Sequence, residues 1–203
     1  MEEKDVYAEL SSIRNLMERS SKFISLSGLA GILAGVYALA GAWFAARILS
    51  NHDDMGFPPE DVPVIVRAMV VVALAILVLS IVTSYWLSMR KAKKRNENVW
   101  NPVSKRLLVA SGIPFITGGL FIAALLLKGE YTLIAASCLI FYGLALVAGS
   151  QYTYQEVKWL GLGEILLGLL AVFVPNQHLI FWTIGFSLLH ILYGILMHFK
   201  YER

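Results

Sequence analysis

The sequence has a single cysteine, Cys138, in 203 residues. That excludes an intrachain disulfide and a Cys-rich metal site. Charge is scarce too: Asp, Glu, Lys and Arg make up 15% of the chain against 58% hydrophobic residues. Soluble domains carry about 25% charged and about 45–50% apolar residues. A soluble enzyme, a nucleic-acid module and a disordered chain are therefore excluded. Catalytic signatures are missing as well: there is no Walker A loop, no His-Glu-x-x-His and no Gly-x-Ser-x-Gly. Without a nucleophile–base or metal constellation, no enzyme activity, metal or cofactor is expected. No gap between apolar runs reaches the roughly 50 residues of a separate soluble domain.

What is present is long apolar runs. A helix needs about 20 apolar residues to cross roughly 30 Å of hydrocarbon. Six segments are predicted as spans, at about 23–49, 62–89, 106–128, 131–150, 157–175 and 178–199. The first is too long for a signal-peptide core and is read as a retained span. Strands are excluded, because period-2 alternation is absent. The fold expected is all-α: a polytopic six-helix membrane domain over 23–199, a helix over 1–22 before it and a tail at 200–203.

Lys and Arg placement predicts the orientation. The N-terminal segment holds Lys4, Arg14, Arg19 and Lys22, and the second connection holds Arg90, Lys91, Lys93, Lys94, Arg95, Lys105 and Arg106. Lys158 and Lys200 fall on the same side, and the opposite connections hold almost none. By the positive-inside rule both termini are cytoplasmic, in an integral membrane protein. The 1–22 segment places Val6, Leu10, Ile13 and Met17 on one helical face, with nearly balanced charges. Surface-bound membrane helices are rich in Lys and Arg, so this helix is expected to pack on protein, its own, a second copy or a partner. The run Arg90, Lys91, Lys93, Lys94 and Arg95 reads either as an ordinary positive-inside loop or as a surface for anionic lipid.

The odd spans share a glycine spacing. Gly28 and Gly35, Gly112 and Gly119, and Gly161 and Gly168 are each seven apart. The even spans share Tyr85-Trp86, Tyr142-Gly143 and Tyr193-Gly194. This predicts three tandem hairpins, parallel repeats about an axis along the membrane normal, with the glycines as helix-packing positions. Six spans, tandem hairpins and Gly-rich odd helices resemble the bacterial HdeD-like membrane proteins. The most similar stretch is Leu160-Gly161-Leu162-Gly163-Glu164-Ile165-Leu166-Leu167-Gly168. The resemblance implies that architecture, a bacterial cytoplasmic membrane location and, through the founder, a link to acid resistance.

Two ionisable residues fall inside predicted spans, where a charge costs at least about 2.5–3.5 kcal/mol. Glu164 lies in the fifth and His190 in the sixth, at similar depth. They are the candidate intramembrane polar site, either proton-sensitive or a structural contact between helices. Arg47 and Arg67, at the outer span ends, with Asp53 and Asp54 in the first loop, are candidate outer-mouth charges, or residues that snorkel and pair locally. His52, Asp53 and Asp54 suit a metal by type, but adjacent loop residues do not converge on one ion. The sequence thus predicts a non-enzymatic membrane protein with an interaction or regulatory role. The alternative is a transporter-like bundle that binds a small solute or lipid at Glu164 and His190.

Overall fold

The computed structural model describes residues 27–50, 62–94, 100–174 and 176–201. The predicted 1–22 helix, the first loop with His52, Asp53 and Asp54, and Arg95 lie outside them. The described residues are helical, with no strand. The long helices are α1 (Gly28–Ser50), α2 (Val62–Lys94), α3 (Pro102–Lys128), α4 (Ile134–Gly149), α5 (Gln155–Phe173) and α6 (His178–Tyr201). A short 3-10 turn, Ser150–Tyr152, follows α4. Five of these helices are long and apolar enough to cross a membrane. The exception is α5, which carries Glu156, Lys158 and Glu164 in 19 residues.

Helix ends follow local chemistry. The predicted third span began at 106, but α3 starts at Pro102. Asn101 caps it: its side chain accepts from Ser104 N–H at 2.8 Å, and Ser104 Oγ accepts from Asn101 N–H at 2.9 Å. Proline at the first helical position loses no bond. At the far end Gly129 has φ 75°, and Glu130 N–H reaches back to Leu125 O at 2.9 Å. A side chain is strained at that φ, so glycine ends the helix. The second predicted span ended at 89, whereas α2 runs to Lys94. Its last turn carries Lys91, Lys93 and Lys94, which the negative helix terminus favours.

Two helix pairs form the centre. α5 packs along α4, and α1 along α6. Both use glycine, and both use one register. A Cβ at Gly161 would sit 2.7 Å from Gly143 O, and one at Gly168 would sit 3.0 Å from Ala136 O. A Cβ at Gly28 would sit 2.6 Å from Gly194 O, and one at Gly35 would sit 2.7 Å from Ser187 O. So glycines seven apart on the odd helix meet carbonyls seven apart on an antiparallel even helix, twice. Only glycine permits that approach, and close backbone approach is what drives helix association in an apolar medium.

The third glycine pair behaves differently. Among the described residues nothing lies within 4 Å of a Cβ at Gly112 or Gly119. α3 instead lies against α4, with Gly118 on Phe141 and Ser111 on Gly149. α2 lies against α1, where Tyr37 and Thr83 share a hydrogen bond of 3.3 Å. The two flanking helices are almost bare: none of the most apolar stretch of α2 is buried, and 6% of that of α3.

Candidate functional site

Glu164 stands on α5 between its two packed glycines, where α4 and α6 also meet. It is 0% exposed. The opposing stretch of α6 is a π segment, Ile184–Leu189. A π segment fits one more residue into the turn than an α-helix does, and such segments recur at functional sites. Gly185 lies in it, and a Cβ there would collide with Glu164 Oε2 and approach Leu139 Cδ2 at 2.5 Å. The missing side chain is the space the carboxyl fills.

His190 follows the π segment and is 6% exposed. Its Nδ1 is 3.0 Å from Gly185 O, five residues back, so Nδ1 carries hydrogen and donates. Its Nε2 is 2.8 Å from Tyr142 Oη on α4. In the neutral ring Nε2 has no hydrogen, so Tyr142 donates. Tyr142 and Phe186 also stack on the imidazole, at centroid distances of 5.4 and 6.0 Å.

The structure therefore brings the two sequence-predicted polar residues together. His190 Nδ1 lies 3.3 Å from Glu164 Oε1. The N–H is directed to Gly185 O, and neither Glu164 oxygen has a hydrogen-bond partner among the described residues. Buried polar groups are normally satisfied, and each exception calls for a reason. Two proton arrangements fit the contacts. In one the imidazole is neutral, Tyr142 donates to Nε2, and Glu164 holds its own proton. In the other the ring carries a proton on both nitrogens, Nε2–H donates to Tyr142 Oη, and Glu164 is a carboxylate paired at 3.3 Å. Both arrangements leave the site neutral, which a low-dielectric interior requires. Passing between them reverses the Tyr142 bond.

Tyr142 and Gly185 are the members that sequence reasoning missed. Tyr142 was legible only as a repeat marker beside Gly143. Gly185 carried no signal, because a glycine shaped by a distant carboxylate has no local pattern.

The remaining candidates lie elsewhere. Arg47 Cζ is 5.4 Å from the centre of the Trp43 ring, and Arg67 Nε donates to Pro63 O at 3.2 Å. Both are engaged on their own helix, and Asp53 and Asp54 lie outside the described residues. Arg90 lies over Trp86 at 4.7 Å. Among the described residues no three of His, Cys, Asp and Glu converge on a common point. An apolar groove of about 440 Å³ runs between α1 and the start of α6, lined by Leu39, Trp43 and Ile180 among others, and does not include Glu164.

At the basic end, Lys200 and Tyr201 of α6 bind Glu156 Oε1 of α5, Tyr201 at 3.0 Å. Partial burial pushes the Glu156 carboxyl up, but hydrogen bonds from Lys200, its own backbone and Tyr201 outweigh that and hold it below its usual value. The bond to Glu156 raises the Lys200 ammonium.

Comparison with family models, curated proteins and solved structures finds no match for the chain.

Proposed function

We propose that this chain is a six-span integral membrane protein with both termini in the cytoplasm, that it is not an enzyme, and that its role is regulatory, exercised by the proton arrangement of Glu164, His190 and Tyr142. The single observation that carries the reading is the fully buried Glu164 carboxyl, without a hydrogen-bond partner among the described residues. The two proton arrangements differ in how tightly α4, α5 and α6 are held to each other. A partner, at the 1–22 segment or at the basic ends, would read that difference. Anionic lipid at Arg90, Lys91, Lys93, Lys94 and Arg95 belongs to the same proposal.

Three tandem hairpins also belong to it, as does the HdeD-like resemblance. The shared register of Gly28/Gly35 on α6 and Gly161/Gly168 on α4 supports a repeat. The alternative, a bundle that binds a small solute or lipid, draws on the same polar site and on the π segment as its opening point. It requires a route to a carboxyl that has no exposed surface.

The test is amide exchange of α6 in the full chain, in lipid nanodiscs, at one pH, because the two arrangements hold the same number of protons. Glu164→Gln, which removes the carboxylate arrangement, is expected to change protection over Ile184–Leu189. Identical protection in the two proteins would overturn the reading.

A further inference from the structure

Gly185 is buried in the π segment, so its carbonyl needs a donor from inside the protein. In an α-helix that donor is the N–H four residues on, at Leu189. In a π segment it is the N–H five residues on, at His190. The His190 backbone N–H donates to Ser187 O, three residues back. An N–H aimed three residues back is poorly aimed at a carbonyl five back. The ring of the same residue comes to that carbonyl: His190 Nδ1 lies 3.0 Å from Gly185 O. A side-chain donor thus supports the widened turn where the backbone donor points elsewhere.

That ring N–H has a second acceptor. Glu164 Oε1 stands 3.3 Å from the same Nδ1, against 3.0 Å for Gly185 O. One hydrogen serves one of them well. The other ring nitrogen is already engaged, since Nε2 lies 2.8 Å from Tyr142 Oη. Glu164 and His190 are both buried, so bulk water does not settle the competition.

Charge settles it. A hydrogen bond to an ionised acceptor is about twice as strong as one to a neutral acceptor. While Glu164 keeps its proton, the nearer Gly185 carbonyl holds the N–H. When Glu164 is a carboxylate, the N–H turns to Oε1, and Gly185 O loses its ring donor. The balance is one proton lost by Glu164 and one gained by His190 Nε2, with no net charge. The contacts in the structure are those of the first state.

We infer that the His190 ring N–H clamps the π segment at Gly185 O, and that Glu164 releases the clamp by competing for the same hydrogen. The inference rests on the two proton arrangements proposed above and assigns their structural output. His190 is a positioning residue in this scheme, because it acts through the backbone of α6. The turn loosens without closing, and its residue count stays the same. Its carbonyls are where α1 packs. A Cβ at Gly35 would sit 2.7 Å from Ser187 O, and one at Gly31 would sit 3.3 Å from His190 O. A looser turn therefore bears on the contact between α1 and α6, and the polar site reaches a helix that it does not touch through side chains.

The experiment is amide exchange of the full chain in lipid nanodiscs, at one pH, read over Ile184–Leu189. Asparagine places an amide N–H where Nδ1 stands, and glutamine places one where Nε2 stands, so the two substitutions separate the bonds of the ring. His190→Gln is expected to exchange about fivefold faster than wild type, the effect of one net hydrogen bond. His190→Asn is expected to stay within about twofold of wild type. Glu164→Gln is expected to exchange more slowly than wild type, and to have no effect in a chain that also carries His190→Gln. Equal acceleration in His190→Asn and His190→Gln would overturn the clamp. The same Glu164→Gln effect in both backgrounds would overturn the release and leave the proton arrangements standing. No Glu164→Gln effect in either background would overturn those arrangements, and the release with them. A second measurement leaves His190 in place: nitrogen-15 NMR of histidine in a chain with His52→Gln, His178→Gln and His198→Gln, with and without Glu164→Gln. With Glu164→Gln the ring is expected to carry its hydrogen on Nδ1 and none on Nε2. A bare Nδ1 there would overturn the clamp.

Discussion

The Glu164 carboxyl is held by shape rather than by donors. Gly185 supplies the shape: a methyl group there would meet Oε2 and Leu139. Overfilling a packed site costs about 1–3 kcal/mol. Gly185→Ala is therefore expected to lower the thermal midpoint, and the added change Glu164→Ala to restore part of it. Additive losses in that double-variant cycle would separate the two residues. Tyr142→Phe removes the donor to Nε2 and is expected to cost about 1–3 kcal/mol, measured by the same melt. At this scale the sequence was half legible. A carboxyl and an imidazole at equal depth on neighbouring helices stand out, because charge in hydrocarbon is costly. The bond that orients the ring was hidden, because tyrosine is ordinary in such helices and its direction depends on how α4 turns.

Helix contacts separate two kinds of glycine. Gly161 faces a carbonyl at contact distance, and Gly112 faces nothing among the described residues. Gly161→Ala is expected to cost about 1–3 kcal/mol, and Gly112→Ala to change the melt by less than about 0.5 kcal/mol. The seven-residue spacing was visible in all three odd helices. Its use was not, because the partner surface decides it: Gly143 and Gly194 admit a backbone, and among the described residues no such partner meets Gly112.

The ends of α5 and α6 add a pH dependence of their own. The folded Glu156 value is depressed, so its contribution is present above the ordinary carboxylate range and is lost as pH falls through the depressed value. The Lys200 value is raised, so its share is present at neutral pH and is lost as pH rises through the raised value. Glu156 is partly buried and Lys200 exposed, so solvent screening keeps this contribution small. Glu156→Gln is expected to flatten the acid side of a melting-temperature profile, and the neutral plateau should fall with it.

Over the whole molecule, order runs outward from two packed pairs to two bare helices. Apolar runs gave away the helices, since few other sequences can form them. They gave no hint of which faces meet, because a helix that is apolar all round has no stripe to read, and α2 is the extreme case. Orientation is a prediction at this scale. In the Cys138→Ala chain, cysteines at Lys105 and Lys200 are expected to react with an impermeant reagent from one side of the membrane, and a cysteine at Lys128 from the other. Labelling of all three from one side would remove the six-span reading.

The π segment carries a last consequence, in the arithmetic of the chain. Ile184–Leu189 holds one residue more than an α-helical ladder of the same length would take. Each residue turns an α-helix by about 100°. Removing any one of the six would let the ladder close as α and swing one end of α6 against the other. Gly185 could then keep its place opposite Glu164 only if Gly194 left its place opposite Gly28. Two separate appointments, at two ends of one helix, are kept by a surplus of a single residue. A shortening that leaves every named side chain intact would therefore still dismantle the site.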